Sequence, residues 1–351
     1  MSTFLIAISP LFWILLFYIH PMNRYVAGFV NLQKAARLTH SFKKNLPSIL
    51  QGSSSAQCLS LLAAQKNDLS SHYQGGYHVV HGVVCRELVL GLPVVGNVRI
   101  LEATAEAQDE LVNQALYLEG EQLLQQTTKG MGNQSALVAG DPYGAVLWPA
   151  AWAVANYILT SNTLSCGLDH TASSPSPLEG LRILELGTGT GLVSIAAVLA
   201  GATVTATDYE PLALTLVDYA ATKFHSVTLT TTLLDMCDYN TPLPIADLVV
   251  AADIMYEPKT GIAMAYRAVE ALRRNSQVIV GDSPGRPGRP AFLKTLHQLG
   301  VVGAKFTDVV GRTCTGPRNE LICGKGSTSV SDKPQELSVA IMDLNPNMLR
   351  Q

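Results

Sequence analysis

Charge is scarce in this chain: 15% of its 351 residues are Asp, Glu, Lys or Arg, and the net charge is -3. A chain so weakly charged has no global field to draw nucleic acid and no solvating acidic tail. Cysteine is sparse as well, at Cys58, Cys85, Cys166, Cys237, Cys314 and Cys323. None forms a C-x-x-C pair or joins histidines at zinc spacing, which argues against a structural metal. Six cysteines over this length are no disulfide scaffold, and reduced, mostly buried thiols are expected. The apolar run Phe4–Ile19 spans 16 residues and contains Pro10, short of the about 20 that a membrane span needs. No internal repeat is visible. What the chain has in plenty is apolar residues, at 48%, with 28 Gly and 18 Pro. That composition buries a sizeable core and excludes a largely disordered or coiled-coil protein.

Acid is missing altogether from the first 67 residues, which carry Arg24, Lys34, Arg37, Lys43, Lys44 and Lys66. That segment is therefore +6, which leaves the remainder of a -3 chain at -9. Phe4–Ile19 has no positive charge before it, as a secretory h-region would, and is followed by a basic, partly amphipathic stretch of transit-peptide composition. Three readings stay open: a signal-anchor, a two-part organelle leader, or a mitochondrial-type presequence starting at Met22. Organelle import, to mitochondrion or plastid, is favoured over anchoring, and membrane contact is expected through residues 4–19 alone. Residues 1–50 are read as this leader, 51–77 as a linker of Ser, Gly and Gln, and 78–140 as a β-rich extension. Residues 141–326 are read as the main domain and 327–351 as a tail.

In the main domain, strand and helix patterns alternate. Trp148-Pro149 opens an Ala-rich helix to Leu159, with Pro at a first-turn position. Strands are expected at Arg182–Leu186, Thr203–Asp208, Val227–Leu233, Ala246–Ile254 and Gln277–Asp282. Helices are expected at Leu192–Ala200, Pro211–Phe224, Gly261–Arg273 and Ala291–Leu299. Last strands near Ala304–Val310 and Glu320–Cys323 would make an antiparallel edge hairpin. Apolar strands alternating with helices imply an α/β fold with a doubly wound, mostly parallel sheet covered on both faces.

The sharpest feature is Glu185-Leu-Gly-Thr-Gly-Thr-Gly-Leu192, between a strand and a helix. Gly187, Gly189 and Gly191 remove Cβ atoms where the backbone turns tightly and a ligand approaches. Such a turn ends the first strand where doubly wound sheets bind nucleotides. Its spacing is not the dinucleotide fingerprint, and no G-K-[ST] follows to make a P-loop. Asp208 ends the next strand, where a carboxylate accepts from both ribose hydroxyls. Asp235, after the third strand, is placed to meet an adenine amino group. Asp253-Ile-Met-Tyr256 closes the fourth strand on the same edge. Each acid also has a plainer reading, as a helix cap or a solvated loop residue.

These residues resemble the seven-stranded class I methyltransferases that use S-adenosylmethionine, and within them the protein-lysine methyltransferase branch with a D-x-x-Y motif. ELGTGTGL is similar to that branch's cofactor loop, Asp253–Tyr256 to its D-x-x-Y, and Gly144–Trp152 to its tryptophan-containing helix. Gly281-Asp-Ser-Pro-Gly-Arg286 resembles a stretch of the subgroup that methylates the electron-transfer flavoprotein β subunit. The resemblance runs from about Asp141 to Gly324. Met236 departs from it, standing where many relatives have Trp.

The resemblance implies S-adenosylmethionine as cofactor. Gly187, Gly189 and Gly191 would line its methionine and ribose, with Glu185 in contact from the strand end. Asp208 would hold the ribose, Asp235 the adenine, and Trp148 would pack nearby. Asp253 and Tyr256 would border the acceptor channel, the first orienting the amine and the second offering a cation–π face. The implied partner is a protein presenting a lysine, the chain itself being monomeric and free of metal and nucleic acid. Two alternatives remain: a small-molecule N-methyltransferase, and a silent cofactor-binding interaction protein.

Overall fold

The computed structural model describes residues 76–128, 142–161, 176, 178–313 and 335–350. The leader, the linker up to residue 75, four of the cysteines and the strand expected at Glu320–Cys323 lie outside the described residues. Among the described residues no helix is long and apolar enough to cross a membrane. The described cysteines, Cys85 and Cys237, are both free, and burial pushes the Cys85 thiol up to about 12.

The chain enters through an antiparallel meander of β1 (Tyr77–Val80), β2 (Val83–Leu92) and β3 (Gly96–Ala103). In β2 the side chains of Leu88, Leu90 and Leu92 are buried while Val89 is exposed, the period-2 signature of a sheet with one covered face. Helix α1 (Ala105–Thr128) follows, and α2 (Pro149–Thr160) begins with Pro at its first turn. The expected alternation comes next: β4 (Arg182–Leu186), α3 (Leu192–Leu199), β5 (Thr203–Asp208), α4 (Pro211–Ala220) and β6 (Thr230–Leu233). Then come β7 (Leu248–Ala252), α5 (Pro258–Arg273), β8 (Gln277–Asp282), α6 (Gly288–Gln298), β9 (Thr307–Thr313) and β10 (Gln335–Leu344).

Seven strands form one sheet in the order β6-β5-β4-β7-β8-β10-β9. The first five in that order pair in parallel, and β10 runs antiparallel to both its neighbours. The chain winds outward from β4 to β6, then crosses to start again at β7 on the other side of β4. The carboxyl ends of β4 and β7 therefore flank the topological switch point, where such sheets open a crevice. This sheet is the doubly wound, mostly parallel one read from the sequence, with the β-rich extension before it.

Two expectations need correction. Residues 327–351 were read as a tail, yet Gln335–Leu344 is an inserted strand, with Leu344 opposite Val278 and Ile341 opposite Thr307. The hairpin partner of β9 is thus this strand. The extension is also less separate than its sequence boundary suggests. Leu88, Leu90, Leu92, Val98 and Ile100 share one buried core with Trp152 and Ile158 of α2 and Ile195 of α3. Trp152 Nε1 donates to the carbonyl of Gly91 at 3.3 Å, and Leu147 N donates to Glu102 Oε1 at 3.0 Å.

Candidate active site

Every residue singled out on the sheet lies at or just past a strand's carboxyl end, because the loops there connect into helices that double back over the faces. The loop after β4 turns through Gly187, Gly189 and Gly191, all at positive φ. Two of these glycines are demanded by packing as well as by the turn. A Cβ on Gly187 would lie 2.6 Å from Ile254 Cγ2, and one on Gly191 would lie 2.5 Å from Val217 Cγ2 of α4. Gly189 backs onto the carbonyl of Gly144. The loop is thus pressed on three sides by different elements. Ile254 belongs to Asp253–Tyr256, so that segment and the glycine loop are in contact.

Two acids hold the loop. Glu185 is 2% exposed, and its Oε2 accepts from Thr188 Oγ1 at 2.7 Å, from Ser194 N at 3.0 Å and from the Ser194 hydroxyl. Burial pushes its carboxyl up to about 7, against the pull of the Ser194 and Thr188 donors, and the Asp208 charge adds to the rise. This oxygen braces the loop and the first turn of α3 from below. Asp208 is buried at the end of β5. Its Oδ2 accepts from Gly189 N at 3.0 Å and its Oδ1 from Glu210 N at 3.0 Å. The positive-φ backbone beside a buried strand-end carboxylate fits the amino-acid and diol ends of S-adenosylmethionine.

Asp235 stands apart from this group at the β6 end. It is exposed, and its Oδ1 accepts from Cys237 N at 2.8 Å, closing an Asx turn. The neighbouring Met236 packs on the core behind α5. Its carbonyl accepts from Arg267 Nε at 2.9 Å. Arg267 is 1% exposed and also donates to the Asp238 carbonyl and to Glu270 Oε2. A buried arginine therefore fixes the loop that carries Asp235. Sequence reasoning missed it; its signal is a lone Arg on the apolar face made by Met264, Ala268 and Leu272.

Asp253 differs most from its expected role. Its side chain is fully buried, and four donors surround it. Ala150 N (2.8 Å) and Ser283 Oγ (2.9 Å) donate to Oδ2, while Ser283 N (2.8 Å) and Arg286 Nε (3.3 Å) donate to Oδ1. A carboxylate so occupied joins the end of β7, the N-terminus of α2 and the loop after β8. It satisfies an orphan N–H of α2 and sits where the helix dipole favours negative charge. Its φ of 58° is the left-handed region that Asp tolerates better than most residues. Asp253 is accordingly a hub that ties these three elements together. Tyr256, three residues on, is half-buried just ahead of α5, and Met255 before it accepts at its carbonyl from Gly288 N at 3.0 Å.

Trp148 is half-buried at the cap of α2, and its Nε1 donates to the Tyr143 carbonyl at 3.2 Å. The Arg286 guanidinium carbon lies 4.6 Å from the centroid of the Trp148 ring. Beside this pair, Asp282 is fully buried and held by Arg289 Nε at 2.6 Å, while its Oδ1 receives no hydrogen bond among the described residues. Burial and the Asp253 charge push the Asp282 carboxyl up to about 7 despite Arg289. Ser283, Arg286 and Arg289 were passed over as site residues, although the Gly281–Arg286 motif contains the first two. Among the described residues no His, Cys, Asp and Glu cluster that could hold a metal is present.

Residues 137–298 match the family described as lysine methyltransferase. The electron transfer flavoprotein beta subunit lysine methyltransferase of Danio rerio is 28% identical over 180 residues, covering 45% of this chain and 57% of that protein. Its Homo sapiens counterpart is 27% identical over 168 residues, covering 43% and 52%. The chain thus spans about half the length of the curated relatives it matches. The protein-lysine methyltransferase METTL21E of Bos taurus is 43% identical over 74 residues, or 21% of this chain and 22% of that one. Among solved structures, magnesium protoporphyrin IX methyltransferase from Synechocystis PCC 6803 aligns with TM-score 0.37 and 16% identity, over 66% of this chain and 95% of that one. The matched residues 137–298 carry the glycine loop, the D-x-x-Y segment and the tryptophan helix.

Proposed function

We propose that this chain transfers a methyl group from S-adenosylmethionine to a lysine side-chain amine of a protein. The observation that carries the reading is the seat of Ile254 against Gly187, which brings the acceptor-side segment against the cofactor loop. The match to the lysine methyltransferase family supports the same chemistry. When bound, the sulfonium cofactor supplies an activated methyl carbon with a thioether leaving group that needs no proton. The protein's work is then alignment and exclusion of water. Gly187, Gly189 and Gly191 would bed the cofactor, Asp208 would accept from its ribose and Asp235 from its adenine. Glu185 would stiffen the bed from beneath.

On the acceptor side the amine must arrive as free base. A lysine amine has an ordinary pKa near 10.4, and desolvation next to a positive charge lowers it. The ring of Tyr256 would hold the alkyl-ammonium by its face. Asp253 would act at one remove, by fixing the segment that carries Tyr256. Residues 76–351 would suffice for this chemistry, with residues 1–50 an organelle address. A single chain would be the working unit.

The electron transfer flavoprotein β subunit, named in the zebrafish and human relatives, is the first protein to try as acceptor. Calorimetry on the purified chain should detect S-adenosylhomocysteine, with Asp208→Ala weakening it by about 1–3 kcal/mol, the scale of a lost charged acceptor. Equal binding by both proteins would remove the ribose assignment. Mass spectrometry of the incubated β subunit should then reveal added methyl groups on lysine.

A further inference from the structure

Arg286 is a charged residue on the acceptor side that joins two site residues, Asp253 and Trp148, and that the family motifs leave without a role. It comes from the loop after β8, whose Gly285 adopts φ 77°. Its Nε lies 3.3 Å from Asp253 Oδ1, longer than the 2.8–2.9 Å bonds of the three other donors to that carboxylate. Its guanidinium meanwhile stacks over the Trp148 ring at 4.6 Å, and its side chain is 16% exposed. Arg289, three residues on, turns the other way, to Asp282 and to the face of Phe306. The loop thus sends one guanidinium to Asp253 and Trp148 and the other to Asp282 and Phe306.

Among the described residues the Trp148 indole has few other anchors. Its Nε1 donates to the carbonyl of Tyr143, whose ring centroid is 6.4 Å away. The same short turn places Gly144 against Gly189 of the cofactor loop. An indole pinned at one edge can still tilt about that edge. A planar cation stacked on its face removes that freedom, and an arginine does this better than a lysine because its fork is flat and weakly hydrated.

We propose that Arg286 is a positioning residue for methyl transfer, clamping the Trp148 wall to the Asp253 hub so that the cofactor bed and the acceptor side keep one geometry. This rests on the methyltransferase reading above. Arg286 touches neither reactant in the proposal, so its loss should act on turnover more than on binding.

The test compares Arg286→Gln, which removes the cation, with Arg286→Lys, which keeps it, in the full chain. Loss of a cation–π clamp of about 0.5–2 kcal/mol should lower the rate at saturating S-adenosylmethionine about 2- to 30-fold in Arg286→Gln. S-adenosylhomocysteine affinity by calorimetry should stay within about twofold, and Arg286→Lys should recover more than half of the loss. A second readout needs no acceptor: Trp148 emission, taken as the difference from a Trp148→Phe protein, should shift in Arg286→Gln and shift less in Arg286→Lys. Unchanged Trp148 emission in Arg286→Gln would overturn the clamp. So would a Lys variant no better than Gln, or a rate that falls in step with cofactor affinity. Should the wild-type chain transfer no methyl group at all, the methyltransferase reading fails, and the emission arm still decides whether the clamp exists.

Discussion

At the scale of single residues, the site is governed by buried carboxylates, each held for a different reason. Asp253 binds three elements together, so Asp253→Ala leaves Ala150 N, Ser283 and Arg286 without their acceptor. Breaking a buried charge pair costs about 3–5 kcal/mol, and the chain should lose stability on that scale in denaturant unfolding. A variant as stable as the wild type would return Asp253 to the amine-contacting role expected from sequence. Glu185 and Asp282 carry the opposite electrostatic burden, with carboxyls pushed from ordinary values of 4.5 and 3.8 up to about 7. Between the ordinary and the raised value the folded chain binds more protons than the unfolded one. Stability from these two groups is therefore greatest in acid and is lost as pH rises towards about 7. For Glu185 the window of about 2.5 pH units corresponds to about 3 kcal/mol. The unfolding midpoint of Glu185→Gln should accordingly vary less between about pH 5 and pH 7.5 than that of the wild type. A slope unchanged by this substitution would contradict the raised value.

At the scale of elements, the parts most legible in the sequence are those encoded locally. Arg182–Leu186, Thr203–Asp208 and Gln277–Asp282 were read with their observed bounds, because each is a short apolar run between turn signals and next to a helical period. The glycine loop was legible for the same reason, though its packing partners were not: Val217 and Ile254 approach from later in the chain. The hub around Asp253 was illegible, because Ala150 lies 103 residues away. Strand β10 was misread for two physical reasons. Its place between β8 and β9 follows from the whole sheet's winding and leaves no local mark. Its Asp343 also looks like a surface charge, yet it accepts from Tyr157 OH at 2.8 Å and Gln277 Nε2 at 2.7 Å. Removing residues 335–351 should therefore prevent folding by baring the ladder edges of β8 and β9, and a truncated chain with a native circular dichroism spectrum and cooperative melt would refute this. At the glycine loop, Gly191→Ala combines a positive φ with a clash against Val217. It should cost about 1–3 kcal/mol through strain, read as a lowered unfolding midpoint.

At the scale of the whole molecule, one sheet edge gathers the glycine loop, the strand-end acids, the D-x-x-Y segment and the tryptophan helix because the chain reverses direction at β4 and β7. The extension is part of this body, sharing its core and fixing Leu147 through Glu102. A chain starting at Gly76 should thus stay soluble and bind S-adenosylhomocysteine as the full chain does, while one starting at residue 141 should not; equal behaviour of the two would make the extension dispensable. The most direct test of the central claim is to incubate the full chain with a cell lysate and S-adenosylmethionine carrying a labelled methyl group. The labelled material is then separated by size and hydrolysed to amino acids. The account predicts label in protein, recovered as methylated lysine. Label confined to a small metabolite, or recovered from protein on any other side chain, would contradict it.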